Sequence, residues 1–264
     1  MTRRVKRANS FELVLEVSDN DFLRTPREGQ RNWMLNRVMK ETSDELEHLN
    51  QISKHFVAGA DAVAGLQDRT ERPLDDNEIM EDWQIPIMEA MAGIVTESGG
   101  DVLEIGFGRG IGSTFIQSGN PASHTIIECN PSVIERFDTW QQKHSGRDIR
   151  LAPGLWQDVM GELGPFDGIF FHTYPLNEAE FVDTVVQSST FAEHFFEAAA
   201  THLKTGGVFT YLTNEIDSLG RAHQRALWKH FRSFTLSMVS DLRVPEDTTD
   251  AMWSDSMVIV RAVK

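Results

Sequence analysis

The sequence predicts an α/β protein with a seven-stranded, mostly parallel sheet, and three observations support this class. Short apolar runs alternate with segments whose apolar residues have helical spacing, from about residue 71 to the end. One run, at residues 102–105, leads directly into a turn in which every second residue is glycine. The next run ends in an acid, Glu128, 22 residues after Gly106.

The first 70 residues are predicted to form a mainly helical extension ahead of the α/β domain at residues 71–264. Residues 1–10 are basic and predicted to be disordered, and the alternating segment 11–17 predicts a strand. Apolar residues at helical spacing predict helices over residues 29–56. We expect the extension to cap the site, to form a homodimer or to add a stabilising helical layer, and the sequence leaves these open.

Within residues 71–264, turns rich in glycine, proline and asparagine separate the predicted elements. The predicted helices end near residue 97, begin at Pro131, and span 190–203 and 219–231. A turn is predicted at residues 204–207. The predicted strands are 102–105, 125–128, 148–153, 166–171, 208–212, 234–239 and 257–263, and the last two form a closing pair.

Composition argues against several classes of protein. The chain has 264 residues and a net charge of -15, so a nucleic acid is repelled on average and a small-molecule substrate is the better expectation. No run of 18 apolar residues occurs, which argues against a membrane partner. The single cysteine, Cys129, excludes an intramolecular disulfide framework and is typical of a cytoplasmic protein. We expect its thiol to be buried and inert.

The glycine-rich turn predicts a nucleotide-binding site. Gly106, Gly108, Gly110 and Gly112 let the backbone reach positive φ and let a ligand approach it closely. An acid at the end of the following strand can accept hydrogen bonds from both ribose hydroxyls. This combination fits NAD, FAD and S-adenosylmethionine alike.

Three details favour S-adenosylmethionine. Glu104 lies within the strand before the glycines, where its carboxylate can meet the cofactor's ammonium group directly or through water. The fourth strand of the domain ends in a polar segment, residues 172–175, beside the switch point of the sheet. The closing pair of strands after a helix fits a seven-stranded methyltransferase sheet.

At these residues the sequence resembles class I S-adenosylmethionine-dependent methyltransferases, and more narrowly the guanidinoacetate and arginine N-methyltransferase group. The resembling blocks are IMEDWQIPIM (79–88), VLEIGFG (102–108), IIECN (126–130), GLWQDV (154–159), FDGI (166–169), TYPL (173–176) and TGGVFTY (205–211). The resemblance implies a Rossmann-like seven-stranded methyltransferase sandwich that uses S-adenosylmethionine and no metal.

The resemblance also implies which residues contact the cofactor. Met80 and Met88 would pack on it, and the turn from Phe107 to Gly112 would wrap its methionine part. The other implied contacts are the ribose at Glu128, with Cys129 and Asn130 beside it, the adenine at Gly154 and Leu155, and the reacting end at His172.

Two positions depart from the pattern of the resembling family. Guanidino methyltransferases grip the substrate's guanidinium with two carboxylates, and this chain has Gln84 and His172 at those places. Carboxylate–guanidinium contacts are charge-assisted, and losing them costs several kcal/mol at a buried site. A guanidinium is therefore a poor substrate unless other acids replace the lost pair. The acids near these blocks are Glu81, Asp82, Glu215 and Asp217.

Neutral residues at these two positions favour a neutral acceptor. His172 can act as a general base because the unperturbed pKa of histidine is about 6.5, with Tyr174 or Gln84 orienting its ring. An indole suits this base, since its N–H becomes acidic as C3 attacks the methyl group. The predicted apolar and aromatic walls are Trp83, Trp156, Phe107 and Phe171.

The main prediction is a methyltransferase of an indole-type metabolite, acting at C3 or at nitrogen in secondary metabolism. The alternative within the same enzyme class is N-methylation of a guanidino compound such as arginine or guanidinoacetate. A binding module without catalysis and a dinucleotide-dependent oxidoreductase are the readings outside that class.

Overall fold

A computed structural model describes residues 3–6, 12–15, 68–70, 72–181, 183–184, 188–213, 215, 219–245 and 255–264. The chain divides into two compact units, Met1–Ala58 and Gly59–Lys264, and each is treated by itself. The domain boundary at residue 70 and the role of the extension as a cap or dimer interface stay predictions.

The first unit contains a short hairpin. Strand β1 (Arg3–Lys6) pairs antiparallel with strand β2 (Glu12–Leu15), so the strand predicted from alternation is confirmed over four residues. The prediction of a disordered basic arm is wrong over β1, because the alternating segment offers a partner for its backbone N–H and C=O groups. The helices predicted over residues 29–56 lie outside the described residues.

The second unit carries the α/β fold. Its strands are β3 (Asp101–Ile105), β4 (Ser123–Glu128), β5 (Ile149–Pro153), β6 (Phe166–Phe171), β7 (Leu203–Thr213), β8 (Ser233–Val239) and β9 (Met257–Val263). Its described helices are α1 (Asp76–Ile79), α2 (Ile85–Thr96), α3 (Ile111–Ser118), α4 (Pro131–Gln142), α5 (Trp156–Val159), α6 (Glu178–Phe181), α7 (Phe196–His202) and α8 (Arg221–His230). Within the described ranges, no helix has the length and apolar character needed to cross a bilayer.

The seven strands form one sheet in the order β5-β4-β3-β6-β7-β9-β8. Strands β3 to β7 run parallel, and β9 lies antiparallel between β7 and β8. The predicted seven-stranded α/β fold and its closing pair are confirmed. The chain runs outward from β3 to β5 and returns to β6 on the other side of β3, so the crevice at the carboxyl ends of these strands is where open α/β sheets bind ligands.

Both faces of the central strands are buried, which explains why these strands appear as continuous apolar runs in the sequence. On one face, Leu103, Phe171 and Phe209 pack with helix α7. On the other face, Val102 and Phe170 pack with helix α2. Because side chains alternate along a strand, the neighbours Phe170 and Phe171 lie on opposite sides of the sheet.

Two element boundaries differ from the predictions. Strand β7 begins at Leu203, so the turn predicted at residues 204–207 belongs to the strand. An irregularity in the pairing of β6 with β7 between Phe166 and Gly168 accommodates these additional residues. The helix predicted over residues 190–203 begins as a 3₁₀ turn, and it is α-helical only from Phe196.

Gly168→Ala is expected to destabilise the protein. An added Cβ at Gly168 in β6 would lie 2.4 Å from the backbone oxygen of Val95 in α2, so strand and helix must separate, at a cost of about 1–3 kcal/mol. Gly93→Ala is the matched control, because apart from the neighbouring backbone of its own helix no described residue lies within 4 Å of its added Cβ. It should stabilise helix α2 by about 0.5–1 kcal/mol. Denaturant unfolding measures both, and equal effects would contradict this packing.

Candidate active site

A cleft of about 370 Å³ opens at the carboxyl ends of β3, β4 and β6, a volume within the range of small-molecule and cofactor sites. The three residues predicted to be catalytic, Gln84, His172 and Tyr174, all line it. The predicted cofactor-binding residues that line it are Met80, Met88, Glu104, Gly106, Phe107, Gly108, Gly112, Glu128, Cys129, Asn130, Gly154, Leu155 and His172.

Gly110 is the predicted cofactor residue that does not line the cleft. It has a φ of 73° directly before helix α3, and an added Cβ would lie 2.9 Å from the ring of Phe107. Gly110 therefore contributes to the shape of the turn but does not face the cleft. Gly106 has a φ of 91°, and its added Cβ would lie 2.6 Å from the carbonyl oxygen of His172. Glycine at this position lets the turn touch the segment that follows β6.

The carboxylate of Glu128 fixes the shape of the glycine turn. Its Oε2 accepts hydrogen bonds from the backbone N–H groups of Phe107 at 3.0 Å and Gly108 at 3.3 Å. Its Oε1 accepts from Cys129 at 2.8 Å and Asn130 at 2.9 Å. An acid at the end of a buried strand needs such partners. Since the bond to Gly108 is the longest of the four, it is the one that a ribose hydroxyl can replace most easily.

Glu104 lies beneath the other end of the glycine turn and is 1% exposed. Its Oε2 accepts a hydrogen bond from Ser113 Oγ at 2.5 Å and lies 3.0 Å from His124 Nε2. Among the described residues, Oε1 has no hydrogen-bond donor. An added Cβ at Gly112 would lie only 2.9 Å from Oε1, so glycine leaves that side of the carboxylate open for a cationic ligand group.

Two uncharged polar side chains line the part of the cleft where the acceptor is predicted to bind, which is the predicted acceptor end. Gln84 is 5% exposed, and its side-chain amide makes no hydrogen bond within the described part of the chain. The imidazole of His172 makes none there either, so the predicted contact with Tyr174 or Gln84 that would orient the ring does not form. The ring of Tyr174 instead stacks under the guanidinium of Arg69, 5.2 Å away. Burial lowers the pKa of His172 to about 4, so the ring is neutral at pH 7.

The walls of the cleft differ in part from the prediction. Phe107 and Trp156 line it as predicted, whereas Trp83 and Phe171 do not. Phe171 stacks on Phe195 in the core, with ring centroids 4.7 Å apart. Phe170 lines the cleft in its place, because strand alternation directs these two neighbours to opposite faces. That alternation was readable in the sequence.

Residues before α1 also line the cleft, although none of them is a predicted site residue. Arg69 lines it, and its guanidinium donates to the carbonyl oxygen of Glu78 at 2.6 Å. The side chain of Asn130 donates to the carbonyl oxygens of Arg69 at 2.5 Å and Arg72 at 2.9 Å. Arg69 lies in the predicted extension at residues 1–70, whereas Arg72 lies at the start of the predicted methyltransferase domain.

The four acids that could replace the two missing carboxylates lie in different surroundings. Glu81 lines the cleft and accepts a hydrogen bond from Trp83 Nε1 at 2.5 Å. Asp82 pairs with Arg109 at 2.7 Å, and Glu215 pairs with His223. Asp217 lies outside the described residues. A further acid, Glu180, was not considered from the sequence and also lines the cleft.

Arg109 connects the glycine turn to the segment that carries Gln84. Its guanidinium donates to the carbonyl oxygen of Met80 at 2.8 Å as well as to Asp82. The acceptor end of the cleft is therefore tied to the cofactor end by one side chain.

Two further features of the described residues concern the thiol of Cys129 and the side chains that could bind a metal ion. Burial, and secondarily the charge of Glu128, raise the pKa of the Cys129 thiol to about 12, which fits the inert thiol expected from the sequence. The described residues contain no group of three His, Cys, Asp or Glu side chains placed to hold a metal ion.

The parallel sheet with its antiparallel closing strand, the glycine turn and the acid ending the second strand define a class I S-adenosylmethionine-dependent methyltransferase. A family model described as guanidinoacetate N-methyltransferase matches residues 55–242, and the chain belongs to this family. The chain therefore has the fold and the family assignment of a methyltransferase that uses S-adenosylmethionine.

Curated relatives carry a related name. Protein arginine N-methyltransferase 2 of Yarrowia lipolytica is 33% identical over 145 residues, which are 50% of this chain and 28% of that protein. The protein of the same name from Saccharomyces cerevisiae is 28% identical over 145 residues, which are 50% of this chain and 32% of that protein. The chain thus spans about a third of the length of these relatives.

Solved methyltransferase structures are similar to this chain at low identity. Precorrin-6y C5,15-methyltransferase from Geobacter metallireducens has a TM-score of 0.49 and 16% identity, covering 72% of this chain and 97% of that one. TYW2 from M. jannaschii, in complex with AdoMet, has a TM-score of 0.49 and 18% identity, covering 72% and 79%.

His172 is expected to titrate near pH 4 in the free protein. The unfolded chain binds a proton at this ring near pH 6.5, whereas the folded chain does so only near its pKa of about 4. The stability that the neutral ring contributes is therefore full above pH 6.5 and is lost as the pH falls toward 4. An NMR titration of the histidine signals measures this, with His172→Gln identifying the signal. A midpoint near 6.5 would contradict the burial described.

Proposed function

We propose that this chain transfers a methyl group from S-adenosylmethionine to a planar, uncharged small-molecule acceptor, with an indole-type heterocycle as the best example. The observation that carries this proposal is the pair Gln84 and His172. Both side chains are uncharged, lie in the cleft and have no hydrogen-bond partner among the described residues. Buried polar groups need partners, and a neutral acceptor with an N–H group supplies them without adding charge.

His172 would take up the proton that the acceptor loses. When bound, the cofactor supplies an electrophilic methyl group that an acceptor atom attacks in line. As an indole attacks through C3, positive charge develops on its N–H, and the neutral imidazole can accept that proton. Gln84 can hold the acceptor through its amide, while Phe170 and Trp156 give the cleft aromatic walls that exclude water.

A guanidino compound is the second candidate acceptor, and the names in the comparisons support it more directly than they support a heterocycle. The family is named for guanidinoacetate, and the curated relatives are named for arginine. In the cleft, Glu81 and Glu180 are acids available to a cation. Both already accept hydrogen bonds, from Trp83 and from the backbone of Leu176, so a guanidinium would have to share or displace these donors.

The charge of the chain supports a small molecule rather than a nucleic acid as the partner in either case. The net charge is -15, and a polyanion would be repelled at ordinary ionic strength.

His172→Ala should lower the rate of methyl transfer by about 10²- to 10⁴-fold, the usual contribution of a general base. Affinity for S-adenosylhomocysteine should change little, because the side chain lies at the acceptor end. Calorimetric binding and a turnover assay measure the two effects. His230→Ala, on helix α8 outside the cleft lining, is the matched control. Unchanged turnover in His172→Ala would refute the base role.

Acceptor competition distinguishes the two candidates. Wild-type protein is expected to methylate tryptamine derivatives faster than arginine or guanidinoacetate. The double variant Gln84→Glu, His172→Asp should reverse this preference by about tenfold or more, because it provides two carboxylates for a guanidinium. Faster methylation of arginine or guanidinoacetate by the wild-type chain would reject the neutral acceptor and establish the second candidate.

A further inference from the structure

We infer that His124 and Gln117 are positioning residues, which together with Ser113 hold the Glu104 carboxylate in the orientation that meets the ammonium group of the cofactor. The inference rests on Glu104 facing that ammonium group. Neither His124 nor Gln117 lines the cleft, so each would act on cofactor binding only through Glu104.

The four side chains form a buried polar cluster beneath the glycine turn. Ser113 and His124 are fully buried, and Glu104 and Gln117 are nearly so. Oε2 of Glu104 accepts the hydroxyl of Ser113 at 2.5 Å and lies 3.0 Å from Nε2 of His124. That second contact is close but poorly aligned for a hydrogen bond, so its attraction is mainly electrostatic.

The contact between Gln117 and His124 sets the proton on the ring. The amide nitrogen of Gln117 lies 3.0 Å from Nδ1 of His124, and an amide nitrogen can only donate. Nδ1 therefore accepts, and the ring proton is on Nε2, facing Glu104. A lone pair at Nε2 would instead repel the carboxylate oxygen at 3.0 Å.

This arrangement anchors Glu104 without cancelling its charge. A ring whose Nδ1 accepts from Gln117 carries its proton on Nε2, so Ser113 and His124 each present one hydrogen to Oε2. Among the residues that the structure describes, Oε1 has no donor, and it lies beside Gly112, which lines the cleft. A buried carboxylate held in this way keeps its attraction for one cation, and the ammonium group of the cofactor is a cation that can approach from the cleft.

Ligands that differ in the amino-acid group test the inference. S-adenosylhomocysteine carries the ammonium group, whereas 5′-methylthioadenosine lacks the whole amino-acid part. In His124→Leu, calorimetry should show affinity for S-adenosylhomocysteine falling by about 10- to 100-fold, as expected for weakening one charge-assisted contact. Affinity for 5′-methylthioadenosine should change by less than about twofold. Equal losses for both ligands, or no loss, would overturn the inference.

Further variants keep the test decisive if His124→Leu folds poorly. Gln117→Leu leaves the ring in place but frees its Nδ1, and it should show the same selective loss to a smaller extent. His124→Gln retains an N–H donor and should recover much of the affinity. Thr210→Val is the matched control, because it removes another fully buried, unpartnered polar atom outside the cleft lining. It should leave both affinities unchanged.

Glu104→Gln separates failure of this inference from failure of the cofactor placement. It should itself reduce affinity for S-adenosylhomocysteine selectively, and His124→Leu should add little in that background. If Glu104→Gln has no selective effect, Glu104 does not meet the ammonium group and the inference falls with it. In ligand-free protein, NMR of labelled histidine should show the Nε2–H tautomer at His124. The Nδ1–H tautomer would overturn the assigned contact.

Discussion

The four backbone hydrogen bonds to Glu128 are the interaction on which the rest of the site depends. A glycine-rich turn has little intrinsic preference for one conformation, because glycine reaches both signs of φ at similar energy. Glu128 draws the N–H groups of Phe107 and Gly108 toward the end of β4 and at the same time holds Cys129 and Asn130. One carboxylate thus fixes the cofactor turn against the neighbouring strand before any ligand arrives.

The interactions at the predicted acceptor end of the cleft are different. Here the polar groups are not held by the protein: Gln84 and His172 line the cleft without hydrogen-bond partners in the described residues, and burial keeps His172 neutral. A preorganised turn suits a cofactor of fixed shape, whereas polar groups without partners are available to the acceptor that binds beside them. Family membership therefore identifies the methyl donor more firmly than it identifies the acceptor.

Sequence patterns predicted the sheet well, and the glycine turn and Glu128 that they singled out line one cleft, because those features depend on local signals. Each signal occupies only a few residues: the alternation along a strand, the spaced glycines, and the acid at the end of β4. The contribution of Arg69 was missed, since it depends on chain-distant contacts with Asn130 and Tyr174. Phe170 and not the predicted Phe171 lines the cleft, because the alternation of side chains along β6 sets the face of the sheet that each ring occupies. A buried charge needs partners, so the sequence indicates that Glu128 has some. It does not indicate that these partners are backbone N–H groups.

The close approach of Gly106 to the carbonyl oxygen of His172 has a consequence for how such an enzyme diversifies. The backbone at position 172 is fixed against the cofactor turn, while its side chain has no hydrogen-bond partner in the described part of the chain. Exchange of the side chain at this position, and at position 84 on the separate segment tied in by Arg109, leaves the turn undisturbed. Substitutions at these two positions can then change the acceptor, while the turn that positions the methyl donor keeps its geometry.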